Sequence, residues 1–217
     1  MEKKHIYLVP GLAASSKIFE NLNFPKDEFE LHFLEWLLPL TETESIGDYA
    51  KRMADLVIEE NPILIGVSFG GIMVQEMSKH LKVQKIILIS SIKSKSELPI
   101  RLKLIEKTYL YKLFPAKYIS NIEAYSTYAF GDFAKKRVKL YKEYLSVRDE
   151  KYLTWAISNV LNWQQTKPLN NTLHIHGVDD HIFTIKHIKN CIKIEKGTHI
   201  MILTKAKSIS KIIIDSL

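Results

Sequence analysis

Cysteine is nearly absent from this 217-residue chain. The single example, Cys191, excludes an internal disulfide and any zinc site built on several thiolates. Arginine is scarce as well: 4 residues (Arg52, Arg101, Arg137, Arg148) stand against 27 lysines. Nucleic-acid readers lean on the bidentate arginine fork, and here the lysines are scattered rather than clustered. The net charge of +7 therefore reads as a lysine-rich bias, and no nucleic-acid partner is expected. No stretch reaches the ~18–20 apolar residues of a membrane span. The start, Met1 to Pro10, has an apolar run shorter than that of a secretory leader and no small-residue cleavage site. A cytoplasmic protein without stable membrane insertion is the expectation. No feature specifies an oligomeric state.

What is present is globular. Apolar residues make up 46% and charged residues 25%, enough apolar surface to offset chain entropy in one domain or two small ones. Short β-branched runs bounded by Gly, Pro or Ser recur: Ile6–Val9, Glu30–Phe33, Ile63–Val67, Ile86–Ile89, Leu173–His176 and Cys191–Ile194. Runs that are apolar on both alternating faces suit the buried strands of a parallel sheet. Helical patterns lie between them. Ser45–Glu60 carries an apolar stripe at 3.6-residue spacing, with Ser45 and Asp48 placed to cap it. Gly70–Leu81 and Ala206–Leu217 read as further helices. The alternation predicts an α/β fold: a mostly parallel six-stranded sheet with flanking helices.

Residues 93–170 break the rhythm. They show helical patterns at Arg101–Phe114, Ile119–Tyr128, Ala134–Arg148 and Lys151–Gln164, and no strand. They also hold 13 of the chain's 22 aromatic residues. Most of these belong to a helical core, while some face a ligand if the segment covers a pocket. The division that follows is a core of 1–92 and 171–217 with a helical cap of 93–170 inserted before the last two strands. Tyr109, Tyr125, Trp155 and Trp163 are the candidates to line a substrate pocket.

The sharpest motif is Gly66-Val67-Ser68-Phe69-Gly70-Gly71. It follows a strand and opens a helix, the context that turns Gly-x-Ser-x-Gly into a nucleophile elbow. There Ser68 stands at the carboxyl end of the sheet, beside free N–H groups that favour developing negative charge. A serine nucleophile needs a base, and the base needs an orienting acid. His199 follows the last strand in Gly197-Thr198-His199, and Asp179 and Asp180 follow the fifth in His176-Gly177-Val178-Asp179-Asp180. Serine, aspartate and histidine thus stand in order at three strand ends.

With these motifs in place the chain resembles an α/β-hydrolase-fold serine hydrolase, a small capped esterase-like member, from first strand to last helix. Leu8-Val9-Pro10-Gly11-Leu12 resembles the family's oxyanion loop. Gly177-Val178-Asp179-Asp180 resembles its acid turn, which points to Asp180 over Asp179, and Gly197-Thr198-His199 resembles its histidine loop. The resemblance implies oxyanion donors at the backbone N–H groups of Leu12 and Phe69. The chain departs from the family at Pro10-Gly11, where His-Gly is frequent, and at Thr184, where Pro is frequent.

The implied chemistry is acyl transfer through a covalent intermediate, with no cofactor and no metal. The expected substrate is a small-molecule carboxylic ester or thioester with an apolar acyl group. Related folds act on amides, lactones or C–C bonds with a similar triad, and a non-catalytic ligand-binding homologue is the third reading. His174 and His176, two apart on one strand face, mimic a metal pair but suit a satisfied core role better. Ser15 and Ser16 are expected to cap the helix after the oxyanion loop, and Cys191 to be a small buried hydrophobe.

Overall fold

The computed structural model describes residues 3–108 and 143–217. Six strands form one sheet: β1 (Lys4–Val9), β2 (Phe29–Phe33), β3 (Ile63–Val67), β4 (Lys85–Ile89), β5 (Thr172–Gly177) and β6 (Ile192–Ile194). Their spatial order is β2-β1-β3-β4-β5-β6, and every pairing is parallel. The chain runs outward from β1 to β2, then returns to β3 and continues the other way. That reversal lies between β1 and β3, where open α/β sheets form their binding crevice at the carboxyl ends of the strands.

Strand alternation splits the apolar residues between two layers. Tyr7, Val9, Leu64, Ile86 and Leu88 point to one face, where they meet α1 (Ile46–Ala54) and α2 (Phe69–Met77). Ile6, Leu8, Ile63, Ile65, Ile87, Ile89 and Ile175 point to the other. There they meet α5 (Met201–Thr204) and α6 (Ala206–Asp215). Burying one such Ile or Leu contributes about 2 kcal/mol, so both faces must be covered. Ser45 caps α1: its Oγ accepts from the Asp48 N–H at 3.1 Å and donates to the Asp48 carboxylate at 2.6 Å.

The helices are shorter than their apolar patterns. α1 stops at Ala54 because the Leu56 and Val57 N–H groups reach back three residues, to Met53 and Ala54, and tighten the turn. α2 stops at Met77 in the same way, with the Lys79 and His80 amides on Glu76 and Met77.

In the 93–170 stretch the described helices are α3 (Ile100–Thr108) and α4 (Glu150–Asn162). Asp149 caps α4 by accepting from the Tyr152 N–H at 2.8 Å. α4 is not a peripheral element. Its Tyr152, Leu153, Trp155 and Ala156 are buried in the same layer as α1 and α2.

Candidate active site

The elbow is built by close backbone approach. A Cβ at Gly66 would lie 2.2 Å from the Gly70 carbonyl oxygen, and one at Gly70 would lie 2.3 Å from both the Val9 and Pro10 oxygens. Only glycine lets α2 begin so near β1 and β3. Between them Ser68 takes φ 54° and ψ −117°, a conformation costing about 1–3 kcal/mol that surrounding bonds must enforce. The Ser68 N–H donates to the Ile89 oxygen at 2.9 Å. The Ser68 carbonyl accepts from the Gly71 N–H at 3.0 Å and the Ser91 hydroxyl at 2.7 Å.

A second glycine pair joins the other two loops. A Cβ at Gly177 would sit 2.2 Å from the Gly197 oxygen, and the Asp179 N–H donates to that oxygen at 2.8 Å. The acid turn and the histidine loop are thereby sewn together. His199 Nε2 lies 2.8 Å from Ser68 Oγ, and His199 Nδ1 lies 2.9 Å from Asp180 Oδ2. Asp180 Oδ1 accepts from the Ile182 N–H at 2.7 Å and the Phe183 N–H at 2.9 Å. Burial pushes the Asp180 carboxyl up. The charge and hydrogen bond of His199, helped by His176 and the Phe183 amide, outweigh burial and hold it below its ordinary value. Phe183 also sets its ring edge-on to the His199 ring, 5.5 Å between centroids.

His174 and His176 stand behind the acid, on the α2 side of β5. His176 Nε2 is 2.7 Å from the Phe183 carbonyl, an acceptor, so this nitrogen carries the proton. His176 Nδ1 then accepts from His174 Nε2 at 3.1 Å. His176 Nε2 also lies 3.4 Å from Asp180 Oδ2, the oxygen that faces His199, and braces the carboxylate. Burial pushes His174 down to about 3 and lowers His176 too, so both rings are neutral at pH 7. His176 has both nitrogens committed, so the pair does not present the two free lone pairs a metal needs.

The loop after β1 lies against Ser68: a Cβ on Gly11 would meet Ser68 Cβ at 3.5 Å. Ala13 in this loop has φ 64°. Among the described residues, neither the Leu12 nor the Phe69 N–H has a hydrogen-bond partner, and both border Ser68. Trp36, which the sequence did not mark, ties the two together. Its indole N–H donates to the Gly11 oxygen at 3.0 Å, and its ring stacks on Phe69 at 5.0 Å. The only sequence signal for it is a Trp just beyond a short strand, at a loop facing the carboxyl edge.

The expected pocket aromatics fare differently. Tyr109 and Tyr125 lie outside the described residues. Trp155 is 1% exposed, stacks on Tyr49 at 4.1 Å and donates to the Glu44 oxygen at 2.8 Å. Trp163 is 3% exposed and donates to the buried Glu76 carboxylate at 2.7 Å. Both indoles are thus anchored in the core by partners of their own, because a buried Trp N–H must find an acceptor. Ser15 makes no side-chain cap, since the Glu35 carboxylate takes the Ser16 N–H instead. Cys191 sits just before β6, half-buried, with burial raising its thiol pKa.

The described ends of the 93–170 stretch grip the loops on both sides of Ser68. The Arg101 guanidinium of α3 donates to the His181 and Ile182 carbonyls of the acid loop. On the other side, the Ser15 N–H donates to the Tyr144 oxygen at 3.2 Å and the Val147 N–H to the Ala13 oxygen at 3.0 Å.

The sequence matches no protein-family model and no curated protein sequence. Solved structures do match. An epoxide hydrolase from Bacillus megaterium is 12% identical, with TM-score 0.70, over 100% of this chain and 93% of that one. An enol-lactonase from Burkholderia xenovorans is 14% identical, with TM-score 0.64, over 100% and 92%. A thermophilic esterase from Thermogutta terrifontis is 14% identical, with TM-score 0.65, over 98% and 88%. With its all-parallel sheet and these neighbours spanning nearly its whole length, the chain has the α/β-hydrolase fold.

Proposed function

We propose that this protein is a serine hydrolase that cleaves carboxylic esters or thioesters of small-to-medium apolar acyl groups. The observation that carries the reading is the unbroken hydrogen-bonded line from Ser68 Oγ through His199 to Asp180. His199 Nε2 takes the Ser68 proton as Oγ attacks the carbonyl carbon, and Asp180 holds the imidazole in the required tautomer and stabilises the imidazolium. The Leu12 and Phe69 N–H groups, without a partner among the described residues, are the donors for the oxyanion. His199 then gives its proton to the leaving alcohol or thiol. Water repeats the cycle on the acyl-Ser68 ester and frees the acid. Ser68, rather than a carboxylate, stands at the elbow, so the covalent intermediate is an acyl ester. The grip of α3 and residues 144–147 on the loops flanking Ser68 supports 93–170 as a cover for the site. The exposed Ile100 and Leu104 of α3 are in keeping with an apolar substrate.

The test is labelling with a fluorophosphonate probe and turnover of p-nitrophenyl acetate and butyrate. Ser68→Ala is expected to abolish labelling and to lower turnover by about 10⁴–10⁶. Labelling that persists in Ser68→Ala, or a wild-type protein that is neither labelled nor active, overturns the proposal.

A further inference from the structure

At the opposite edge of the sheet lies a second cluster of reactive side chains that the triad does not use. β1 and β2 pair with His5 opposite Glu30 and Tyr7 opposite His32. Residues two apart on a strand share a face, so His5, Tyr7, Glu30 and His32 stand together. One donor atom each from His5, Glu30 and His32 lies within 4.8 Å of the others. His5 Nδ1 and His32 Nε2 face each other at 2.9 Å. We infer that His5, Glu30 and His32 form a binding site for a divalent transition-metal ion of the zinc class.

The donor set has the right chemistry. Two imidazoles and a carboxylate suit a borderline ion such as Zn²⁺ rather than Mg²⁺ or Ca²⁺, which prefer oxygen alone. Tetrahedral ligation with metal–nitrogen bonds of ~2.0–2.1 Å sets the two nitrogens ~3.3 Å apart. The rings therefore need to part by only a few tenths of an ångström. His5 and His32 are half-buried, which leaves water to complete the coordination.

The surroundings hold the ligands ready. The His32 ring is stacked flat on Tyr7, 4.4 Å between centroids at 12°, and lies 5.2 Å from the His5 ring. The Tyr7 hydroxyl accepts from the Ile58 N–H at 3.2 Å, which anchors the turn that carries Glu59. The Glu59 carboxylate lies 3.8 Å from His5 Nε2, on the side of the ring away from Nδ1. At that distance, longer than a hydrogen bond, the carboxylate's charge favours the Nε2–H tautomer and leaves the Nδ1 lone pair for the metal. When the ion enters, His32 carries its proton on Nδ1 and turns the Nε2 lone pair inward. Four residues of strand, ~13 Å, separate His5 from the end of β1, so the ion takes no part in the chemistry at Ser68. Its effect is to clasp the edge strand β2 to β1.

The test is calorimetric titration of the full chain, stripped with chelator, with zinc chloride. One ion per chain is expected, with a rise in melting temperature. His32→Ala should abolish binding. Glu30→Gln, an exposed change that leaves both rings in place, should weaken binding at least ~10-fold, and Glu59→Gln by a smaller factor. His199→Ala should leave it intact, which separates this site from the triad histidine. Absence of binding, or binding that survives both His32→Ala and Glu30→Gln, overturns the inference and leaves a hydrogen-bonded histidine pair. Zinc bound as expected stands whether or not Ser68 proves to be a nucleophile.

Discussion

His174 makes the protein sensitive to mild acid. The ring is buried, and its pKa falls from an ordinary 6.5 to about 3, mainly through desolvation and then through its neighbour His176. Between those two values the unfolded chain binds a proton that the folded chain refuses. Stability therefore falls as pH drops through this window, and the loss is complete near pH 3. At 1.36 kcal/mol per unit the full penalty is about 5 kcal/mol, and about 2 kcal/mol is already lost at pH 5. Against a typical domain stability of about 5–15 kcal/mol this is a large share. His174→Gln removes the titration while its side-chain N–H₂ still donates to His176 Nδ1. Urea unfolding followed by tryptophan fluorescence at pH 7.5, 6 and 5 should show the wild type losing about 2 kcal/mol more than the variant across the range. Groups that do not interact with His174 titrate in both proteins and cancel in the comparison. A difference between the two proteins that stays constant from pH 7.5 to 5 would refute the reasoning.

Other perturbations probe the loops around Ser68. Trp36→Phe keeps the stack on Phe69 but deletes the donor to the Gly11 oxygen. kcat for p-nitrophenyl butyrate should fall ~10-fold with KM nearly unchanged, a fraction of the ~10²–10³ lost with a whole oxyanion donor. An unaltered kcat would show that the indole does not set the loop. Gly70→Ala drives a Cβ to 2.3 Å from two backbone oxygens, and thermal melting should reveal at least ~3 kcal/mol of lost stability or no folded protein. Gly11→Ala meets Ser68 Cβ only at ordinary contact, 3.5 Å, and should cost about 1 kcal/mol or less by the same measurement.

The strands and the three loop motifs were readable because each depends on local chemistry. A strand buried on both faces must be apolar throughout, and a tight strand-to-helix turn must carry Gly66 and Gly70 around Ser68. The choice of Asp180 over Asp179 came only through family resemblance, and the geometry behind it is tertiary. Asp180 is turned to His199 by the Ile182 and Phe183 amides, while the Asp179 amide is spent on the Gly197 oxygen. Trp36 was illegible for the same reason, since Gly11 lies 25 positions away, whereas Phe183 and His176 reach Asp180 across three and four residues through a turn whose shape no motif spells out. Trp155 and Trp163 were assigned to a pocket on composition. The partners that bury them, Tyr49 with Glu44 and Glu76, lie 87 or more positions away in the sequence.

The burial of α4 bears on how this scaffold can be cut and rebuilt. Tyr152 and Trp155 fill the space between α1 and the first turn of α2, with Trp155 edge-on to Phe69 at 6.0 Å. A minimal version made by splicing β4 directly to β5 would strip that wall from the helix that Ser68 opens. Shortening or grafting between β4 and β5 should instead spare residues 149–165, whose Gln165 side chain also binds Gln75 of α2 and the Lys93 carbonyl. The C-terminal quarter of the insert thus belongs with the foundation of the site.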